Sequence, residues 1–223
     1  MRDQINFYPT VITDSIDEAR DKLYRCSQSD EVSIAQVDVI DGQFADNITI
    51  TPTDVAQWKI ENLELDFHIM TVEPINEVYE LLAFKNMIPV RGVIAQIERM
   101  SSVEDYVQEV KKQGWSVGLS LDLFTPVSAI EEHIWEDLDI VQVMANEAGH
   151  SGPFDSRALE KLTQVDQKRK SLDNEIELVV DIGVSPENIR KIVEAGADSV
   201  AVGTSIWSKP SIKEAIEDFI KVL

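Results

Sequence analysis

The segment AQVDVIDGQFADNITIT, residues 35–51, begins as an apolar strand and ends as a polar loop. Side chains alternate between the two faces of a strand, so Gln36, Asp38 and Ile40 share one face and two valines share the other. A carboxylate and an amide on a buried strand face have two explanations. They are paired structural groups, or they form the floor of an active site.

The charge of the chain excludes several classes of function. The 223 residues carry a formal net charge of −21, and 43% of them are hydrophobic. Nucleic acids and anionic membranes attract basic surfaces, so we expect neither as a partner. An anionic substrate would need a local trap of backbone N–H groups and helix N-termini.

The sequence also indicates a compartment. It contains no run of about 18 apolar residues, as a membrane span requires, and MRDQINFYPT at residues 1–10 has no apolar signal core. The single cysteine, Cys26, cannot form an internal disulfide and suits a reducing environment. We therefore expect a cytoplasmic protein in which Cys26 is structural.

Strand-like apolar runs alternate with amphipathic helical patterns along the whole chain. The predicted strands are residues 5–12, 32–40, 64–70, 88–97, 116–123, 139–145, 176–183 and 198–205. The predicted helices are residues 16–27, 53–62, 75–86, 103–114, 127–136, 156–171, 185–197 and 211–223. Eight β/α units of about 27 residues predict one α/β domain over residues 1–223, a (β/α)8 TIM barrel. A doubly wound open sheet is the alternative.

Capping residues support two of the predicted helices. Ser185-Pro186-Glu187 is typical of a helix start and Gly196 of a helix end, while Thr125-Pro126 predicts the start of the fifth helix. The longest irregular segments, residues 41–51 and 146–156, directly follow strands. In a barrel such loops lie on the catalytic face.

Polar side chains recur near the carboxyl ends of several predicted strands. They are Gln36 and Asp38 on the second strand, His68 on the third, Gln96 and Glu98 on the fourth, and Asp181 on the seventh. Together they could bind a divalent metal, or two carboxylates could transfer protons at both faces of a bound carbon. Each also has a structural explanation: an Asp there often closes a turn, and a lone histidine is often a core residue. We expect His133 to be solvated and His150 to lie in an exposed loop.

The last two strands end in small residues. Backbone N–H groups near Gly183, Gly203, Thr204 and Ser205 could form a phosphate nest between strands seven and eight. Together with the alternating pattern, this predicts a barrel of the phosphate-binding type.

The chain resembles the ribulose-phosphate 3-epimerase family nearly from end to end. The resemblance lies in VDVIDGQFADNITITP, LDFHIMTVEP, DIVQVMANEAGHSG and LVVDIGVSPENIRKIVEAGADSVAVGTSIW. It implies a cytoplasmic isomerase of the pentose phosphate pathway that inverts C3 of a ketose phosphate through a cis-enediolate.

The resemblance also implies roles for individual residues. The catalytic pair is Asp38 and Asp181. One divalent metal (Zn, Fe, Mn, Co or Mg) is held by Asp38, His68 and Asp181, with Gln36 as a weak ligand. Substrate and phosphate contacts are expected from Thr10, Gly149, Ser151, Gly152, Gly183, Gly203, Thr204 and Ser205, and an apolar cap from Ile40, Met70 and Met144.

The chain departs from the family pattern at several of these positions. Gln36 and Gln96 stand where the family has histidines, which would weaken metal binding or shift it toward a harder ion such as Mg²⁺ or Mn²⁺. Ile182 replaces the first of two glycines, although isoleucine disfavours a positive φ. The loop at residues 148–152 also differs, so phosphate affinity and substrate identity are both affected.

Three hypotheses follow. The first is a 3-epimerase of a pentulose or hexulose phosphate, chiefly ribulose 5-phosphate. The second is a catalytically impaired homologue that binds a sugar phosphate. The third is a lyase of the hexulose-phosphate synthase type, which the absence of Lys from Asp38-Val39-Ile40-Asp41 disfavours. The family also suggests a homo-oligomer.

Overall fold

The computed structural model describes residues 5–223, and its eight parallel strands close into a barrel in chain order. The strands are β1 Asn6–Val11, β2 Ile34–Ile40, β3 Glu64–Met70, β4 Val90–Gln96, β5 Ser116–Leu121, β6 Ile140–Met144, β7 Glu177–Asp181 and β8 Ser199–Val202. The predicted TIM barrel is therefore confirmed, and the alternative of an open sheet is wrong. The first four residues, which belong to the segment inspected for a signal core and to the predicted domain, lie outside the described range.

Eight α-helices lie among the described residues. They are α1 Ile16–Ser27, α2 Pro52–Val55, α3 Ile75–Ala83, α4 Val103–Gln113, α5 Ala158–Arg169, α6 Ile189–Glu194, α7 Thr204–Trp207 and α8 Ile212–Ile220. Within residues 5–223 no helix is long and apolar enough to cross a membrane. Cys26 is buried on α1 as a free thiol, and burial raises its pKa to about 12, so it is inert.

The predicted fifth helix is wrong. Residues 127–136 form two 3₁₀ segments, Val127–Ala129 and Glu132–Asp137, separated by extended backbone. The carbonyl of Ile130 accepts a 3.2 Å hydrogen bond from the Trp135 indole, while the Ile134 N–H donates to Glu131, three residues back. The indole of the buried Trp135 thus occupies the Ile130 carbonyl, which in an α-helix would accept a hydrogen bond from the Ile134 N–H.

Two other predicted helices are less than half of the expected length. The second stops at Val55, after a capping box between Thr51 and Asp54. The helix predicted from Ser185 begins at Ile189 instead, because the Asn188 side chain accepts from the Ser185 N–H and donates to the Gly183 carbonyl. These bonds hold the turn between β7 and α6, at the carboxyl end of β7.

The alternation of β2 is as predicted. Its valines pack into the large apolar core between the sheet and the helices, whereas Ile40 belongs to a separate inner cluster at the carboxyl end of the barrel. Parallel pairing sets Asp38 beside His68 on β3, and Met144 on β6 beside Asp181 on β7. The polar side chains of these strands therefore converge inside the barrel.

Candidate active site

One cavity opens at the carboxyl ends of the strands, with a volume of about 510 Å³. Asp38 and Asp181 lie at its floor, and Met70 and Met144 contribute to its wall. All eight residues predicted to contact substrate or phosphate also line it: Thr10, Gly149, Ser151, Gly152, Gly183, Gly203, Thr204 and Ser205. The structure thus brings the two predicted halves of the site together in one space.

An amide group joins the two carboxylates. Gln36 Nε2 donates at 2.8 Å to Asp38 Oδ1 and at 2.8 Å to Asp181 Oδ2. Gln36 comes from β2 and Asp181 from β7, so this bridge crosses the barrel. The carboxylates are thereby turned toward a common point and not into separate capping roles.

His68 lies beside the same point and is fully buried. Its Nδ1 is 3.2 Å from Asp38 Oδ1 and 3.7 Å from Asp181 Oδ2. The ligand atoms of Asp38, His68 and Asp181 all lie within 4.8 Å of one another. Such a buried group of two carboxylates and an imidazole could hold a divalent cation.

The other nitrogen of His68 faces Gln96, whose amide nitrogen is 3.0 Å from His68 Nε2 and 2.9 Å from Ser120 Oγ. The Gln96 oxygen is buried without a partner in this orientation. Turning the amide over lets that oxygen accept from both His68 Nε2–H and the Ser120 hydroxyl. With the His68 proton on Nε2, the lone pair of Nδ1 faces the carboxylates, as a metal ligand requires.

The ionised form of Asp181 is electrostatically disfavoured in the folded protein. Burial and the nearby charge of Asp38 raise its pKa from 3.8 to about 6, against the opposing effects of His68, the Gln36 amide and the Ile182 N–H. The Ile182 N–H donates to Asp181 Oδ1 at 2.6 Å. A carboxyl group with a raised pKa is suited to both taking up and releasing a proton near neutral pH.

The shifted pKa of Asp181 predicts a pH-dependent stability. The unfolded chain loses this proton near pH 3.8 and the folded chain near 6, so the stabilising contribution, present below pH 3.8, is lost as the pH rises through 6. In EDTA, we expect Asp181→Asn to raise the free energy of unfolding at pH 8 by about 3 kcal/mol, an advantage that disappears near pH 3.5. Urea unfolding at both pH values measures this.

A surface carboxylate provides the control for this experiment. Interactions with Lys209 and Lys221 lower the pKa of Asp218 to about 2, so Asp218→Asn should not stabilise the protein at pH 8. A less stable Asp181→Asn protein at pH 8 would mean that Asp181 is well compensated by its neighbours.

The end of the cavity where a phosphate was expected contains two glycines with close neighbours. A Cβ at Gly183, where φ is +69°, would lie 2.1 Å from the Phe154 backbone nitrogen. A Cβ at Gly203 would lie 2.8 Å from Thr10 Oγ1. Only glycine fits at residue 183, whereas a Cβ at residue 203 would require the Thr10 hydroxyl to move. Glycines and small hydroxyl residues therefore line this end.

Ile182 has a strained backbone. Its φ is +75°, a region that a β-branched residue rarely adopts. The side chain is buried in the inner cluster that contains Ile40, Met70, Met144 and Ala148. Isoleucine was expected to oppose this conformation. Burial of the Ile182 side chain in the inner cluster offsets the free-energy cost of its strained backbone.

Because burial and strain oppose each other at residue 182, Ile182→Gly should change the free energy of unfolding unusually little. Ile182→Gly removes about 2 kcal/mol of apolar burial but relieves about 1–3 kcal/mol of backbone strain. We expect its unfolding free energy to stay within about 1 kcal/mol of the parent. Ile40→Gly, in the same cluster but without a positive φ, should lose about 3 kcal/mol or more. Equal losses in the two proteins, measured by urea unfolding, would contradict the strain at Ile182.

Not every predicted site residue lies in the cavity. Glu98 is exposed after β4 and accepts from the Asp122 N–H, while His133 is exposed beside Glu104, as predicted. His150 is exposed in its loop but lines the cavity entrance. Gln36, His68 and Ile40 lie behind the cavity surface, although the first two touch its carboxylates.

Sequence reasoning missed Gln142 as a site residue. Its Nε2 lies 3.2 Å from His68 Nδ1 and 3.3 Å from Asp181 Oδ2. Gln142 is two residues before Met144 on β6, so strand alternation could have placed it on the inner face. Ser120, the partner of Gln96, was overlooked for the same reason.

The chain is similar in sequence to members of one known family. The model of the ribulose-phosphate 3-epimerase family matches residues 8–207. A ribulose-phosphate 3-epimerase from Bacillus subtilis (strain 168) is 34% identical over 188 residues, which are 82% of this chain and 83% of that protein. A chloroplastic ribulose-5-phosphate-3-epimerase from Arabidopsis thaliana is 33% identical over 81% of this chain and 64% of its own length.

Solved structures support the fold. A 3-hexulose-6-phosphate synthase from Salmonella typhimurium matches with a TM-score of 0.68 over 98% of both chains, at 15% sequence identity. At that identity the likeness concerns the barrel alone.

Proposed function

Because the chain belongs to the ribulose-phosphate 3-epimerase family, whose members are isomerases, we propose that it interconverts ribulose 5-phosphate and xylulose 5-phosphate. The observation that carries this proposal is the pair Asp38 and Asp181, bridged by one amide nitrogen at 2.8 Å on each side. The pair lies at the floor of a cavity whose other end is lined by glycines and small hydroxyl residues.

The reaction requires removal of a proton from C3 on one face of the sugar and its return on the other. One carboxylate removes the C3 proton, which leaves a planar cis-enediolate, and the carboxylic acid on the opposite face then delivers a proton to C3. The raised pKa of Asp181 suits a group that is an acid in one direction and a base in the other.

The donor set fits a divalent metal. Asp38, His68 and Asp181 would hold it, and Gln36 could add its amide oxygen by turning over, because its nitrogen now lies between the carboxylates. When bound, such an ion would supply positive charge that stabilises the enediolate oxygens. The hydrogen bonds from Gln36 and Gln142 offset part of the carboxylate charge through the chain's own groups.

The apolar cap restricts water at the reacting carbon. Met70, Met144 and Ile182 line the cavity together with the carboxylates, and Ile40 and Ala148 pack behind them in the same inner cluster. Contact with this surface would hold the sugar carbons flat between the two acids and protect the enediolate from solvent protons.

Solvent deuterium exchange is the direct test. Purified protein, supplied in turn with Zn²⁺, Fe²⁺, Mn²⁺, Co²⁺ and Mg²⁺, should incorporate deuterium at C3 of ribulose 5-phosphate as xylulose 5-phosphate appears. Absence of exchange with every ion would contradict the epimerase proposal.

Gln36 favours a second candidate, a catalytically impaired protein that binds a sugar phosphate. An amide oxygen is a weaker metal ligand than the imidazole of the family pattern. Metal analysis separates the two candidates: one metal ion per chain after expression supports the enzyme. Protein that stays metal-free yet binds ribulose 5-phosphate supports the impaired homologue.

A further inference from the structure

One lysine lies where an anionic ligand would need a positive charge. Lys22 on α1 lines the same cavity as the two catalytic carboxylates. Among the described residues that line this cavity, it is the only one with a lysine or arginine side chain. In a chain of net charge −21, positive charge near this cavity is scarce: the guanidinium of Arg25, on the same helix, lies 5.2 Å from the centre of the Trp207 ring, but Arg25 does not line the cavity.

The position of Lys22 is fixed by its neighbours. Its side chain is only 13% exposed, and its Nζ is 2.6 Å from Glu18 Oε1. The Nζ also lies 5.4 Å from the centre of the Trp207 ring. Packing of the stem and the cation–π contact therefore hold the ammonium group at the cavity wall and limit its motion in solvent.

These neighbours place Lys22 at the phosphate end. Trp207 ends α7, the short helix that begins with Thr204 after the Gly203 turn. The Trp207 indole donates at 2.7 Å to the carbonyl of Thr10, and Thr10 is the residue that a Cβ at Gly203 would strike. Lys22 thus shares a wall with the small residues of the nest.

We propose that Lys22 recognises the ligand's phosphate group, its ammonium pairing with the dianion while the backbone N–H groups near Gly203 and Thr204 donate to the phosphate oxygens. This assignment rests on the proposed sugar-phosphate function. Glu18 holds the ammonium in place before the ligand arrives, and the Glu18 carboxylate is itself anchored by a 2.9 Å bond from the Thr13 hydroxyl. Neutral backbone groups and one cation together recognise a phosphate monoester more strongly than either does alone.

Three variants test the assignment. Lys22→Gln removes the charge, Lys22→Arg keeps it, and Arg20→Gln removes one positive charge from the same helix outside the cavity, where Arg20 pairs with Asp17 at 2.9 Å. Inorganic phosphate binding is followed by ³¹P NMR titration, and KM and kcat are measured with ribulose 5-phosphate. Ribulose without its phosphate serves as a further substrate.

We expect Lys22→Gln to weaken phosphate binding and raise KM by about tenfold, with kcat changed less than about threefold. Lys22→Arg and Arg20→Gln should stay near the parent values, and turnover of unphosphorylated ribulose should not depend on residue 22. Equal effects of Lys22→Gln and Arg20→Gln would overturn the assignment, as would a parent protein that binds no phosphate.

The phosphate titration needs no turnover, so it separates the two proposals. A parent protein that binds phosphate through Lys22 but exchanges no C3 proton would contradict the epimerase and support the role of Lys22. The reverse result, full epimerase activity that is indifferent to Lys22, would contradict only the lysine.

Discussion

Asp181→Asn and Asp38→Asn are each expected to lower the epimerase kcat by about 10³-fold. In the proposed reaction, each substitution removes the group that handles the proton on one face of the sugar. An amide of similar size can still hydrogen bond to the Gln36 side chain, which contacts both carboxylates at 2.8 Å. Stopped assays that separate ribulose 5-phosphate from xylulose 5-phosphate measure the loss. Circular dichroism verifies the fold.

Isotope exchange makes this prediction sharper. The acid that remains can still remove and return a proton on its own face. Each variant should therefore exchange C3 deuterium into one epimer and not into the other, with opposite preferences in the two variants. Asp218→Asn, which removes a surface carboxylate from α8, should match the parent. Loss of exchange from both epimers in both variants would contradict the assignment of one acid to each face.

Gln36→His should tighten metal binding by about tenfold to a hundredfold. The Gln36 amide nitrogen now lies between the two carboxylates and close to His68 Nδ1, at 3.4 Å. An imidazole there would place a strong ligand in the same group, whereas the amide offers a weak one. Competition dialysis with Zn²⁺ and the visible spectrum of the Co²⁺ protein report affinity and ligand set.

A control separates this site effect from the general affinity of histidine for metals. Gln28→His adds an imidazole at the exposed C-cap of α1, so it should leave the high-affinity constant unchanged. If Gln36→His bound Zn²⁺ no more tightly than the parent, then residue 36 would not reach the ion. Gln36 would in that case act only as a hydrogen-bond bridge.

Most of the barrel could be predicted because its signals are local. Alternation in strands such as β2, and the repeat of strand and helix, depend only on the chemistry of neighbouring residues. The fifth helix was mispredicted because its apolar spacing suits an α-helix, but the Trp135 indole takes the Ile130 carbonyl. That competition between a side chain and the backbone arises only when the tryptophan is buried.

The site residues also fall into those that local sequence patterns reveal and those that only long-range contacts reveal. Motif order was enough to single out Asp38, His68 and Asp181, which the structure brings within 4.8 Å. It did not single out Gln142: alternation along β6 places this residue on the inner face, but its contact with His68, 74 positions away in the chain, arises only when the barrel closes. The strained φ of Ile182 is likewise tolerated only because four distant apolar residues surround its side chain.

The sequence by itself determined the parallel barrel and the face of the strand on which each acid lies, because strand periodicity is a property of the local backbone. The tertiary structure decided which distant groups meet: the Gln36 bridge between strands β2 and β7, and the cation of Lys22 at the cavity wall. Barrel closure sets those distances, since it brings together side chains that no local pattern relates.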